Sequence, residues 1–159
     1  MATWQDLSES APELAKLVAD RFASTGLVML GTVRANGWPR ITPIEYTIWQ
    51  GALVLGGMWQ SKKCLDLLRD GRCTLHSTTS DKNGQQGDAK LYGYATPLAP
   101  EREEGYWEHI YSLLNWRPEG PAHVFTIEIQ SAAYVVFDQG SMRLLRWPGP
   151  LEWKVTHSH

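Results

Sequence analysis

The stretch Ser61-Lys62-Lys63 points most directly at a ligand. It lies between GGMWQ and CLDLLRDG and reads as a strand end, a turn and the opening of a helix. A helix N-terminus carries unpaired N–H groups and a partial positive charge, so its first turn favours Asp and Glu. Two lysines oppose that preference unless an anion sits among them. The N–H groups, the helix dipole, the Ser61 hydroxyl and two ammonium groups would then converge on one phosphate. The plain alternative is a solvated pair of lysines tolerating a dipole penalty of about 0.3–1 kcal/mol.

Other chemistry-bearing residues give less. Cys64 and Cys73 have no zinc-type spacing and read as small core residues. His76 lies in an apolar run and reads as a core histidine with one hydrogen bond. His123 follows a loop and is expected to be exposed. His157 and His159 flank a serine; metal or haem ligation there stands against a frayed terminus. The chain contains no GxSxG turn, Walker loop or GxGxxG. A net charge of -2 gives no basic field for nucleic acid. No apolar run reaches the roughly 18 residues of a membrane helix. The start MATWQDLSESAPEL lacks a basic and apolar leader, so the expected location is the cytoplasm. Eight tryptophans exceed what one small core needs and suggest a subunit interface or a flat aromatic ligand.

The elements that would position these residues can be read in order, over one domain spanning residues 1–159. Ser10-Ala11-Pro12-Glu13 reads as an N-cap and first turn, with a helix to about Ser24. Leu27 to Val33 is a strand, Asn36-Gly37 a hairpin signal, and Ile41 to Trp49 the return strand, with Pro43 marking an edge or bulge. Ala52 to Gly56 is a third strand. The helix from Ser61 places Cys64, Leu67 and Leu68 on its apolar face and ends at Asp70-Gly71. Arg72 to Ser77 is a strand, and the polar run Thr78 to Gly87 a mobile loop. Asp88 to Leu98 is a strand with Gly93 as bend or bulge, and Pro100 to Leu114 a helix. That helix either packs on the sheet or covers a pocket. Val124 to Ile129, Ala132 to Phe137 and Met142 to Trp147 complete eight strands. Their spacing predicts a mainly β protein, a closed antiparallel barrel with peripheral helices.

Three pieces, GLVMLGTVRANGWPRITPIEY, GALVLGGMWQSKKCLDLLRDGRCTLH and GDAKLYGYATPL, resemble the pyridoxamine 5'-phosphate oxidase-like family of FMN-binding split β-barrels. The resemblance covers about residues 26–98. It implies an antiparallel split barrel working as a homodimer on a small-molecule substrate, with FMN at the dimer interface. The phosphate would be held by Ser61, Lys62 and Lys63, with Arg40 from the second strand. The ring would lie near Ile41, Thr42, Pro43, Met58 and Trp59. The partner subunit would contribute from the strand at Asp88 to Tyr92, with Asp88 and Lys90 among the cofactor contacts. The implied activity is hydride or electron transfer through flavin N5; no protein nucleophile is required, and no catalytic residue is assigned. Pyridoxamine phosphate oxidation itself is not expected, because LLRWPGPLEWKVTHSH carries no clear copy of that branch's C-terminal motif. Alternatives on the same fold are a deazaflavin-dependent reductase, a non-catalytic flavin or haem carrier or sensor, and a barrel that has lost its cofactor.

Overall fold

Strand alternation builds a barrel here. In β1 (Leu27–Val33) Val28, Leu30 and Thr32 are buried while the residues between them face outward. β2 (Pro39–Trp49), β3 (Ala52–Met58), β4 (Arg72–Ser77), β5 (Asp88–Pro97) and β6 (Ala122–Asp138) join it in the order β3-β2-β1-β4-β5-β6. A further β3–β6 pairing closes six strands into an antiparallel barrel. β7 (Ser141–Trp147) and β8 (Trp153–Thr156) extend the sheet beyond β6. The structure, a computed structural model, describes residues 2–149 and the backbone of 153–156. Among these, no helix is long and apolar enough to cross a membrane.

Asn36-Gly37 does turn β1 into β2, with Gly37 at φ 84°. The half of β2 that contains Pro43 pairs only with β1, while β3 takes over from Tyr46, so proline sits where one edge is open. The two segments read as separate strands after Val124 are instead one 17-residue strand, β6. Its second half stays paired with β5 on one edge and takes β7 on the other. A bulge interrupts the β5–β6 register between Tyr92 and Gly93. A Cβ on Gly93 would be driven into the carbonyl oxygen of Glu128. Gly93→Ala is therefore expected to destabilise the fold by about 3 kcal/mol, as overpacking against backbone does, read as a Tm fall of about 6–12 °C. An unchanged Tm would contradict the bulge assignment.

α2 (Pro12–Ala23) packs Leu14, Ala15, Val18 and Phe22 into the main core, with Val28, Leu30, Leu55, Leu75 and Leu91 from the strands. Its N-cap is Ala11, not Ser10, because Ser10 ends a further helix, α1 (Trp4–Ser10). Thr3 and Asp6 form a capping box on α1, a signal the sequence carries at that spacing. α4 (Pro100–Leu114) lies outside the barrel, and Tyr106 and Ile110 form a second cluster with Trp49, Val54 and Val124. The run Thr78 to Gly87 is a loop, as expected, and carries its own hydrogen bonds. The Asp81 carboxylate accepts N–H bonds from Asn83, Gln85 and Gln86, and Gly84 O accepts from Phe137 N.

Candidate cofactor site

α3 (Lys62–Arg69) follows β3 through a tight turn at Gln60, φ 60°. Gly57 makes the approach possible, since a Cβ there would collide with Cys64 Sγ. Cys64, Asp66 and Leu67 form the buried face, and Lys62, Leu65, Leu68 and Arg69 are exposed. Leu68 is thus not on the apolar face; the charged Asp66 replaces it there.

The N-terminus of α3 fits an anion. Ser61 is its N-cap, yet its hydroxyl makes no capping bond. Ser61 Oγ is buried without a hydrogen-bond partner apart from the Cys64 sulfur beside it, a weak acceptor. Thr42 Oγ1 on β2 is likewise buried and unpartnered. A buried hydroxyl without a partner costs about 1–3 kcal/mol, a cost that a hydrogen bond to a ligand oxygen would remove. Burial pushes the Cys64 thiol up, against the Ser61 bond and the Lys63 charge. Burial likewise pushes Cys73 up to about 12. Neither cysteine is a thiolate nucleophile at neutral pH.

Arg40 reaches the same region through an ion pair. Its Nε donates to Asp66 Oδ2 at 2.7 Å, and Thr32 Oγ1 donates to that oxygen at 2.8 Å. Arg69 approaches Oδ1 at 3.4 Å and also donates to Val33 O. Burial pushes the Asp66 carboxyl up, but the Arg40 and Thr32 hydrogen bonds and the Arg40 charge outweigh it, so the carboxyl lies below its ordinary range. Among the described residues the terminal guanidinium nitrogens of Arg40 keep no other partner. A cavity of about 290 Å³ runs between α3 and the β1–β2 hairpin, with Arg34, Arg40, Lys62 and Arg69 around it. An adjoining trough of about 660 Å³ shares Arg40 and is lined by Met29, Gly31, Ile41, Thr74 and His76. A basic end thus opens onto an apolar floor.

The expected site residues fall into two groups. Arg40, Ile41, Thr42, Ser61 and Lys62 stand at or beside this cavity and trough, and Lys63 Nζ donates to Pro43 O at 3.0 Å. Met58 is 79% exposed at the end of β3. Trp59 turns away from the trough, stacked on His123 with ring centroids 4.5 Å apart. Asp88 and Lys90 lie on β5; Lys90 pairs in register with His76, and neither lines the trough of this chain.

Asp66 and the two histidines were not among the expected site residues. Asp66 had a signal, a carboxylate inside an apolar helical face. His123 is buried, not exposed: its Nε2 accepts the Gln60 N–H at 3.1 Å. His76 is half-buried, and its Nδ1 faces the Ser77 carbonyl at 2.6 Å. A carbonyl only accepts, so Nδ1 carries the proton and Nε2 of neutral His76 is bare. No group of three or more His, Cys, Asp or Glu suited to a metal ion exists among the described residues. His157 and His159 lie outside them.

Comparison with solved structures returns this fold. PhzG from Burkholderia lata, solved with tetrahydrophenazine-1-carboxylic acid, is 12% identical, with 96% of each chain covered and a TM-score of 0.64. A NimC/NimA family protein from Clostridium acetobutylicum is 16% identical over 88% of this chain and 96% of that one, TM-score 0.63. A heme binding protein from Mycobacterium smegmatis is 17% identical over 80% of this chain, which spans 56% of that protein's length, TM-score 0.58. No curated protein sequence matches. The family profile described as pyridoxamine 5'-phosphate oxidase matches residues 14–136, most of the chain and nearly all of the barrel, so the chain belongs to that family.

Proposed function

We propose that this chain is an FMN-dependent oxidoreductase, active as a homodimer on a small organic substrate. The observation that carries the reading is the basic, uncapped N-terminus of α3. Its buried Ser61 hydroxyl has no strong partner, and the apolar trough lies beside it. The free N–H groups of α3, Ser61, Lys62, Lys63 and Arg40 would hold the phosphate. Asp66 holds Arg40 in place, and Lys63 is held against Pro43. Ile41 and Gly31 offer a flat wall for the ring. When bound, the flavin supplies the redox chemistry; the chain binds, orients and excludes water. Trp38 and Ile41, 69% and 70% exposed, together with Tyr92 and Tyr94, give an apolar surface for the second subunit.

The test is a titration of apo protein with FMN, followed by flavin fluorescence at two ionic strengths. Saturable quenching that weakens several-fold as salt is raised supports the ionic phosphate contact. No quenching, or salt-independent affinity, contradicts it.

A second reading has its own observation. His76, at the apolar trough with Nδ1–H fixed by a carbonyl, would be the residue to hold a haem iron through its bare Nε2. The heme binding protein of the same fold is consistent with it. Haem uptake with a Soret band that His76→Ala shifts or removes would favour this reading over FMN.

A further inference from the structure

We propose that the chain carries a second binding site, for a small organic cation that also bears a hydrogen-bond acceptor. The site is the cavity of about 390 Å³ between α4, the loop after it and the start of β6. It does not rest on the flavin reading, and it shares no lining residue with the basic cavity or the trough.

The ligand class follows from four side chains. Trp59 and Trp107 line the cavity, and their ring faces carry the negative end of the aromatic quadrupole. Glu103, half-buried on the first turn of α4, has no ion-pair partner among the described residues. Glu104 and Arg117 cancel each other: both guanidinium Nη atoms meet the two carboxylate oxygens at 2.8 and 2.9 Å. Arg117 therefore has no free fork for an anion, and the charge left in the cavity is the Glu103 carboxylate. A lone carboxylate in a cavity lined by two tryptophans, one face of Trp59 being taken by His123, attracts an ammonium, above all a methylated one, and repels a phosphate or carboxylate.

His123 adds the second requirement. It is 9% exposed, lines the same cavity, and is stacked against Trp59. Gln60 N–H must donate, so Nε2 accepts, and the proton of the neutral ring sits on Nδ1. That N–H has no partner among the described residues. That N–H, open to solvent and without a protein acceptor, is available to a ligand oxygen or ring nitrogen. The cation so described has an ammonium beside Glu103 and an acceptor for His123.

Benzoylcholine meets both demands, and 3,3-dimethylbutyl benzoate is its uncharged isostere. Calorimetric titration of the full chain is expected to give saturable binding of benzoylcholine, at least about tenfold tighter than the isostere. Glu103→Gln, which keeps the side chain's size and removes a charge that has no ion-pair partner among the described residues, is expected to remove about tenfold of that affinity with an unchanged melting temperature. The Lys62→Ala, Lys63→Ala double variant is expected to bind benzoylcholine as the parent does, which separates this site from the flavin reading. Absence of saturable binding, equal affinity for the charged and uncharged probes, or an unaltered affinity in Glu103→Gln would overturn the proposal.

Discussion

Replacing Lys62 and Lys63 together by alanine is expected to lower FMN affinity at least 100-fold while leaving the apo protein folded. Each lysine offers a charge-assisted bond to the phosphate, worth about 1.5–3 kcal/mol, and 100-fold corresponds to about 2.7 kcal/mol. The cost to the apo fold is small for a specific reason. Lys62 is exposed, and Lys63 makes one bond, to Pro43 O. Removing two cations from a helix N-terminus relieves a dipole penalty of about 0.3–1 kcal/mol, which offsets the lost bond. The apo Tm should move by no more than about 2–4 °C. Calorimetric Tm and FMN titration of the same preparations check both parts. Unaltered FMN affinity in a folded double variant would remove the phosphate assignment.

Asp66→Ala is expected to destabilise the fold by about 3 kcal/mol. The substitution leaves Arg40, whose side chain is 22% exposed, without its partner and leaves the buried Thr32 hydroxyl unpaired. Removing one member of a buried pair costs about 3–5 kcal/mol, and the partial exposure of Arg40 argues for the lower end. The pH dependence follows from the sign of the shift. The Asp66 carboxyl is held below its ordinary 3.8, so its contribution is fully present above that value and is lost as pH falls through the folded-state value. Denaturation curves of parent and variant should therefore differ by about 3 kcal/mol at pH 7 and converge in strong acid. A gap independent of pH would show that packing, not the ion pair, is lost.

The sequence reveals more of this architecture where a local rule and the tertiary fold agree. Asn36-Gly37, the proline-marked edge of β2 and the small residue at the Gly93 bulge each have a backbone cause within a few residues, and each is where it was expected. β6 was divided in two because its 17 residues serve two environments: one half closes the barrel on β3, the other pairs with β7. No local pattern reports a strand that changes partners. The Leu68 assignment failed because periodicity counts apolar residues and gives a buried carboxylate no credit, whereas Arg40, 26 positions earlier, supplies its partner. His123 was read as a loop neighbour, but its place is fixed by Gln60, 63 positions away. The end of the site proposed to bind an anion was legible as Ser61-Lys62-Lys63. The trough and the Trp59–His123 stack depend on contacts between distant strands, which spacing along the chain does not encode.

The most direct test of the central claim is the visible absorption spectrum of the purified protein after FMN is added and the excess dialysed away. The account predicts a retained yellow chromophore in about one equivalent per chain, quenched in fluorescence and released by the Lys62→Ala, Lys63→Ala variant. A colourless protein after dialysis, above all one that instead holds haem through His76, would contradict it.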